Sequence, residues 1–409
     1  MNLIAKYLLG YLVIHILLIS VVQAFFCQDL KIIELVLGVV AFGIAILNSK
    51  KITLEKSEII IVFLLVFLNI YYIFIDLKGL IYFKMTYVLV LGIILSKVIL
   101  PNISLKKYFE KINLLYFIIL VGLVIEYLLV AMFGNKLLVD LLMCNGVQTG
   151  VRGYIELYNM TREILPYHIH GLNSIMLAQQ GGQTASQLAI IISIWYFYKY
   201  KDNKNRVDLS LALLAVLMVF LSPSITAFFL LFTSLIIFYL VYLKSILHEK
   251  VNSFYQMFFV IFISIFFIFL LFKVLTAKHN SMDYIFEVYV LGSISGLSNF
   301  NLKEILFGVS YERELELFKL GEISYITHII KYGLVGVGVF YGSILYFILK
   351  ALTNKTLQSI VPNIFIIVIF ILGNTHYPVM FVIGVIELFI LHLAYIIYVG
   401  SIEKNSNKS

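Results

Sequence analysis

Residues 207–243 read VDLSLALLAVLMVFLSPSITAFFLLFTSLIIFYLVYL, two apolar runs parted by Ser222, Pro223 and Ser224. One charged residue, Asp208, occurs in the whole stretch, and Arg206 and Lys244 close it on either side. An α-helix needs about 20 apolar residues to cross a bilayer, because each residue advances it by about 1.5 Å. Backbone amides in hydrocarbon have no water to bond, so a segment that satisfies them internally is helical. The stretch therefore reads as two spans, 207–222 and 224–243, joined by a tight turn or broken at Pro223.

The same reading outward from this hairpin gives spans at 7–27, 32–48, 58–76, 81–100, 112–133, 183–200, 254–275, 325–349, 359–377 and 379–399. Composition agrees: 62% of the 409 residues are hydrophobic and 13% charged. A soluble domain carries about 25% charged residues, and single soluble cores stop growing near 250–300 residues. A soluble chain is thereby excluded. The first run is not followed by a small-residue cleavage site and is expected to remain as a span.

The net charge of +8 raises the question of nucleic acid, but the lysines lie in short inter-helix segments, where they report topology. With the N-terminus cytoplasmic, inner segments hold Lys50, Lys51 and Lys56; Lys106, Lys107 and Lys111; Lys199, Lys201, Lys204 and Arg206; Lys244 and Lys250; Lys350 and Lys355; Lys404 and Lys408. The short outer segments hold far fewer. The alternation predicts an all-α polytopic membrane protein, a single membrane domain over 1–409 with about 12 spans and both termini cytoplasmic. Two outer segments, 134–182 and 276–324, exceed the length at which structureless loops are common, and neither is low-complexity. Both are expected to fold against the membrane surface. No internal repeat is visible, which weighs against an inverted-repeat transporter. Cys27 and Cys144 allow one disulfide and require none.

Polar chemistry concentrates in the long outer segments. The first carries Arg152, Arg162, His168, His170, Asn173, Gln179 and Gln180 just before a span. Arginine offers fixed charge and a planar fork of donors that matches phosphate oxygens. Two arginines at the membrane edge suit a diphosphate headgroup, or else pair with Glu156 and Glu163. His168 and His170 share one face of an extended segment, but no Cys, Asp or third histidine lies close enough in sequence to complete a metal centre. A histidine that takes a proton from a hydroxyl, or bonds a sugar, fits better; a histidine satisfied by loop backbone fits equally.

In the second segment, Glu312, Arg313, Glu314, Glu316, Lys319 and Glu322 alternate in charge, the pattern of a solvated helix face. Glu322 and His328 differ, because they stand where the chain returns into the membrane and ionisable groups are expensive. Gly333, Gly336, Gly338 and Gly342 are expected to serve helix packing. Asn374, Thr375, His376, Tyr377 and Pro378 form a polar clip on the outer side. Glu387 and His392, inside the last span, are expected to face other helices.

Three patches, in this order, resemble the Wzy-type polysaccharide polymerases, within the wider O-antigen polymerase and ligase group. They are RGYIELYNMTR through HGLNSIM and QQGGQTA (152–185), LSPSITAFFLLF (221–232) and EISYITHIIKYGLVGVGVF (322–340). The resemblance implies a GT-C-like fold in a bacterial plasma (inner) membrane, with an extracytoplasmic active site. It implies a polymerase that joins polyprenyl-diphosphate-linked oligosaccharide repeat units into a surface polysaccharide such as O-antigen or capsule. Glu322, His328, His168 or His170 would be the base, and Arg152, Arg162 and Arg313 would stabilise the leaving diphosphate, with Asn173, Gln180, His376 and Tyr377 as further polar groups. No metal or other cofactor is needed. Membrane lipid, a chain-length regulator and a flippase are the implied partners, and nucleic acid is not. An O-antigen-type ligase is the nearest alternative, disfavoured because Glu322-Ile323 stands where that branch has His-Asn. A lipid-linked oligosaccharide flippase is the alternative from another class.

Overall fold

The structure, a computed structural model, describes residues 54–76, 79–133, 181–221, 300–309, 324–352, 360–373 and 385–406, with Gly10 and part of 230–234. Nine α-helices are described at element length: α1 Lys56–Asp76, α2 Gly79–Val98, α3 Leu105–Phe133, α4 Gly181–Asn203, α5 Arg206–Leu221, α6 Leu302–Phe307, α7 Ser324–Leu352, α8 Ile360–Gly373 and α9 Val385–Ser406. Among the described residues there is no strand, and four helices are long and apolar enough to cross a membrane: Lys56–Phe74, Lys84–Asn102, Leu105–Ile125 and His328–Leu352. Ile360–Gly373 and Val385–Ser401 are apolar but shorter. The expected spans at 7–27, 32–48 and 254–275, most of 224–243, most of both long outer segments, and Cys27 and Cys144 lie outside the described residues.

Helix ends follow local chemistry. Pro101 cannot continue α2, so the chain tightens into a 3-10 turn, Leu100–Asn102. The Asn102 side chain donates to the orphan carbonyl of Val98 at 2.7 Å. Helix α3 then begins at Leu105, seven residues before its expected span, because Lys106, Lys107, Glu110 and Lys111 stay exposed while Tyr108 and Ile112 turn inward. Between α4 and α5 the turn is only Lys204 and Asn205. Lys204 takes φ 53°, its N–H reaches the Tyr200 carbonyl at 2.7 Å, and Asn205 Oδ1 accepts from Val207 N–H at 3.0 Å. Lys199 and Asp208, 2.8 Å apart, close the hairpin.

Helix α9 lies at the centre. Every residue from Val385 to Ile397 is buried, against α2, α7 and α8, as expected of a helix apolar all round. Helix α1 lies at the rim, burying Leu65, Leu68 and Tyr72 while Ile60, Phe63, Phe67 and Phe74 stay exposed. At one end of the bundle Lys97 of α2 meets fully buried Glu58 of α1 at 2.9 Å. Lys350 of α7 meets Glu55 at 2.7 Å beside it. Further along, Ile60, Leu64, Gly338, Gly342 and Tyr346 line a cleft of about 310 Å³ between α1 and α7.

Candidate functional site

The end of α1 and the start of α7 build a layer of rings and hydroxyls around a break in α7. Gly333 holds φ 62°, ψ 178° inside that helix, a region in which only glycine is comfortable. The break leaves carbonyls of the preceding turn without helical partners. Tyr72 of α1 donates its hydroxyl to one of them, on Tyr332. Asn69, a turn earlier on α1, donates to the Leu65 carbonyl at 2.7 Å and to the Thr86 hydroxyl of α2.

His328 stands in the first turns of α7, only 7% exposed. Its Nδ1 lies 3.3 Å from the Tyr341 hydroxyl, and its ring leans on those of Tyr332 and Tyr341. Tyr341 is on the far side of the break, thirteen residues on, so the helix folds its own partner towards the histidine. A hydroxyl on Nδ1 orients the ring, as an imidazole needs if its other nitrogen is to move a proton.

Part of the second long segment caps this layer. The short helix α6 carries its own capping box: Asn301 Oδ1 accepts from Glu304 N–H, and Glu304 Oε2 from Asn301 N–H, each at 2.9 Å. Gly308 ends it at φ 85°. Val309 N–H then donates to the Ile330 carbonyl at 2.9 Å. Phe300, Val309 and Ile330 are buried together, and the Phe307 and Tyr71 ring centroids stand 5.0 Å apart.

A second polar constellation lies in the core. His392 of α9 is fully buried, with Nδ1 2.6 Å from Asn363 Oδ1 of α8 and Nε2 2.5 Å from the Tyr116 hydroxyl of α3. With Asn363 accepting, Nδ1 carries the proton and Nε2 accepts from Tyr116. Trp195 of α4 packs edge-on to the same imidazole. The group ties four helices, and no solvent reaches it. Gln187 of α4, also buried, donates to the Gly373 carbonyl at 3.2 Å, which joins the start of α4 to the end of α8.

Of the residues expected to carry chemistry, His328 is described and belongs to the capped layer. Glu322, His168, His170, Arg152, Arg162, Arg313, Asn173, Gln180, His376 and Tyr377 lie outside the described residues. His392 faces other helices, as expected, and Glu387 is buried with it. The glycine run divides: Gly333 makes a break rather than a packing face, while a Cβ on Gly338 or Gly342 would meet nothing within 4 Å. Tyr341, Tyr116 and Asn363 carry polar contacts that composition hides, since a tyrosine or asparagine in an apolar run reads as lining. Among the described residues no three His, Cys, Asp or Glu side chains could hold a metal ion together. Comparison with protein families, with curated proteins and with solved structures finds no match to this chain.

Proposed function

We propose that this chain is a multi-span membrane glycosyltransferase of about twelve helices that polymerises polyprenyl-diphosphate-linked oligosaccharide repeat units. The observation that carries the reading is His328, an oriented imidazole at the start of a long apolar helix, beneath a folded part of an outer segment. The order of the three polymerase-like patches supports it. In the reaction the acceptor hydroxyl attacks the anomeric carbon of the donor sugar, the bond to the diphosphate breaks, and a base takes the hydroxyl proton. The diphosphate is already a good leaving group, so orientation and charge neutralisation do most of the work. Glu322, His328, His168 and His170 are the candidates for the base. Arg152, Arg162 and Arg313 are the candidates for the departing charge, which removes any need for a metal.

The broken α7 favours a second reading. Transporters place substrates at half-helix ends, and a lipid-linked oligosaccharide flippase binds the same cargo. Glycan analysis of cells lacking the protein separates the two. A lost polymerase leaves single lipid-linked units on the outer face, whereas a lost flippase traps them inside. With the gene restored, His328→Ala is expected to slow chain growth about 10²–10⁴-fold if it is the base. Arg162→Ala should slow it about 10²–10³-fold, and Arg162→Lys less, because charge remains but the fork is lost. Full-length glycan at the normal rate from all three variants would remove these residues from the site.

A further inference from the structure

Gly308 and Gly333 face each other across the junction between the outer segment and α7. A Cβ on Gly333 would sit inside the contact radius of the Leu306 carbonyl and the Phe307 amide nitrogen. One on Gly308 would do the same to the Lys331 carbonyl. The obstacle in both cases is backbone, which cannot swing aside as a side chain can. Both residues also hold φ and ψ values that are essentially reserved for glycine. Each glycine thus clears the space that the other's chain occupies, and the Val309–Ile330 hydrogen bond stitches the two together. Ile330 is two residues from His328, and Tyr332, whose carbonyl holds Tyr72, is four.

We propose that the Gly308–Gly333 interlock is a positioning device: seating residues 300–309 in the break of α7 holds the first turns of that helix, and His328 with them, against Tyr341. The device rests on the reading of His328 as a candidate base, while its geometry can be tested apart from that reading. The outer segment is then part of the site's frame rather than a lid over it. Gly308 and Gly333 are positioning residues, acting through the half-helix on which His328 rides.

The test begins with a full chain carrying Cys27→Ser, Cys144→Ser, Val309→Cys and Ile330→Cys in membranes. Oxidation should join positions 309 and 330 readily, and equally so with Gly338→Ala added, since a Cβ there meets nothing. Gly333→Ala or Gly308→Ala should slow the joining by about tenfold or more, given the strain of either conformation for a residue with a Cβ. His328 should resist diethyl pyrocarbonate in the native chain and become reactive in the same two variants, read by peptide mass. Phe307→Ala, which loosens α6 without touching a glycine, should shift both readouts in the same direction should a glycine variant fail to accumulate. In polymerisation the glycine variants should lose roughly 10²-fold in kcat, the cost of a misplaced group, with KM for the lipid-linked unit unchanged. The oxidised cysteine pair should keep its rate. The interlock is overturned if the glycine variants join as fast as the native pair with His328 still protected. It is overturned equally if oxidation stops chain growth and reduction restores it, because the segment must then move. Native membranes that make no polymer would remove the polymerase reading and leave joining and histidine protection to judge the interlock.

Discussion

His392 and His328 are both histidines in apolar helices, yet their surroundings assign them different work. His392 spends both ring nitrogens on Asn363 and Tyr116 in a sealed core, which makes it a joint between helices. Removing one member should therefore cost stability. Tyr116→Phe leaves a buried imidazole nitrogen without its donor, a loss of about 1–3 kcal/mol. Thermal unfolding in detergent should fall accordingly. Tyr116→Phe combined with His392→Phe should fall by less than the sum of the two single changes, because the bond the two side chains share is lost only once; strict additivity would mean that the bond contributes nothing. From the sequence both histidines are visible as polar residues in apolar runs. Their division of labour is not, because Tyr116 is 276 residues from His392 and Asn363 is 29.

Helix termini were the most legible elements, since their causes are local. Pro101 and the apolar run before it mark the end of α2 without any tertiary knowledge. Helix α3 starts before its expected span for a physical reason: hydropathy measures what a bilayer would accept, whereas helicity continues through Lys106 and Lys107. The break at Gly333 shows the opposite limit, because it depends on Leu306, which no periodicity in α7 encodes. The Lys97–Glu58 and Lys350–Glu55 ion pairs are likewise non-local. Glu58 is fully buried, so Lys97→Met leaves an uncompensated charge and should cost about 3–5 kcal/mol. Adding Glu58→Gln should restore most of the lost melting temperature. A single Lys97→Met variant that melts like the native protein would mean that water reaches Glu58.

Across the whole molecule, the charged residues already sort themselves. Glu55, Glu58, Lys97 and Lys350 meet at one end of the bundle, whereas His328, Tyr72 and α6 gather at the opposite ends of α1 and α7. Loop charge predicts that the lysine-bearing end faces the cytoplasm, an expectation that labelling can test. Asn301 caps α6 and is exposed, so Asn301→Cys in a chain without its native cysteines should react with an impermeant maleimide added outside intact cells. Asn145→Cys should do the same. Labelling of either position only after the cells are opened would invert the assignment and move the candidate site to the cytoplasmic face.

The two facing glycines also bear on what this gene can become. A single base change in a glycine codon yields residues such as alanine, serine, valine, aspartate or arginine, and every one of them carries a Cβ. At positions 308 and 333 none can be seated, and a change at one position cannot be rescued by enlarging the other, because each obstructs main chain. At 338 and 342, where the added carbon meets open space, a change to alanine is accommodated. Populations of this gene should therefore hold two glycines still and let two give way to alanine along one helix.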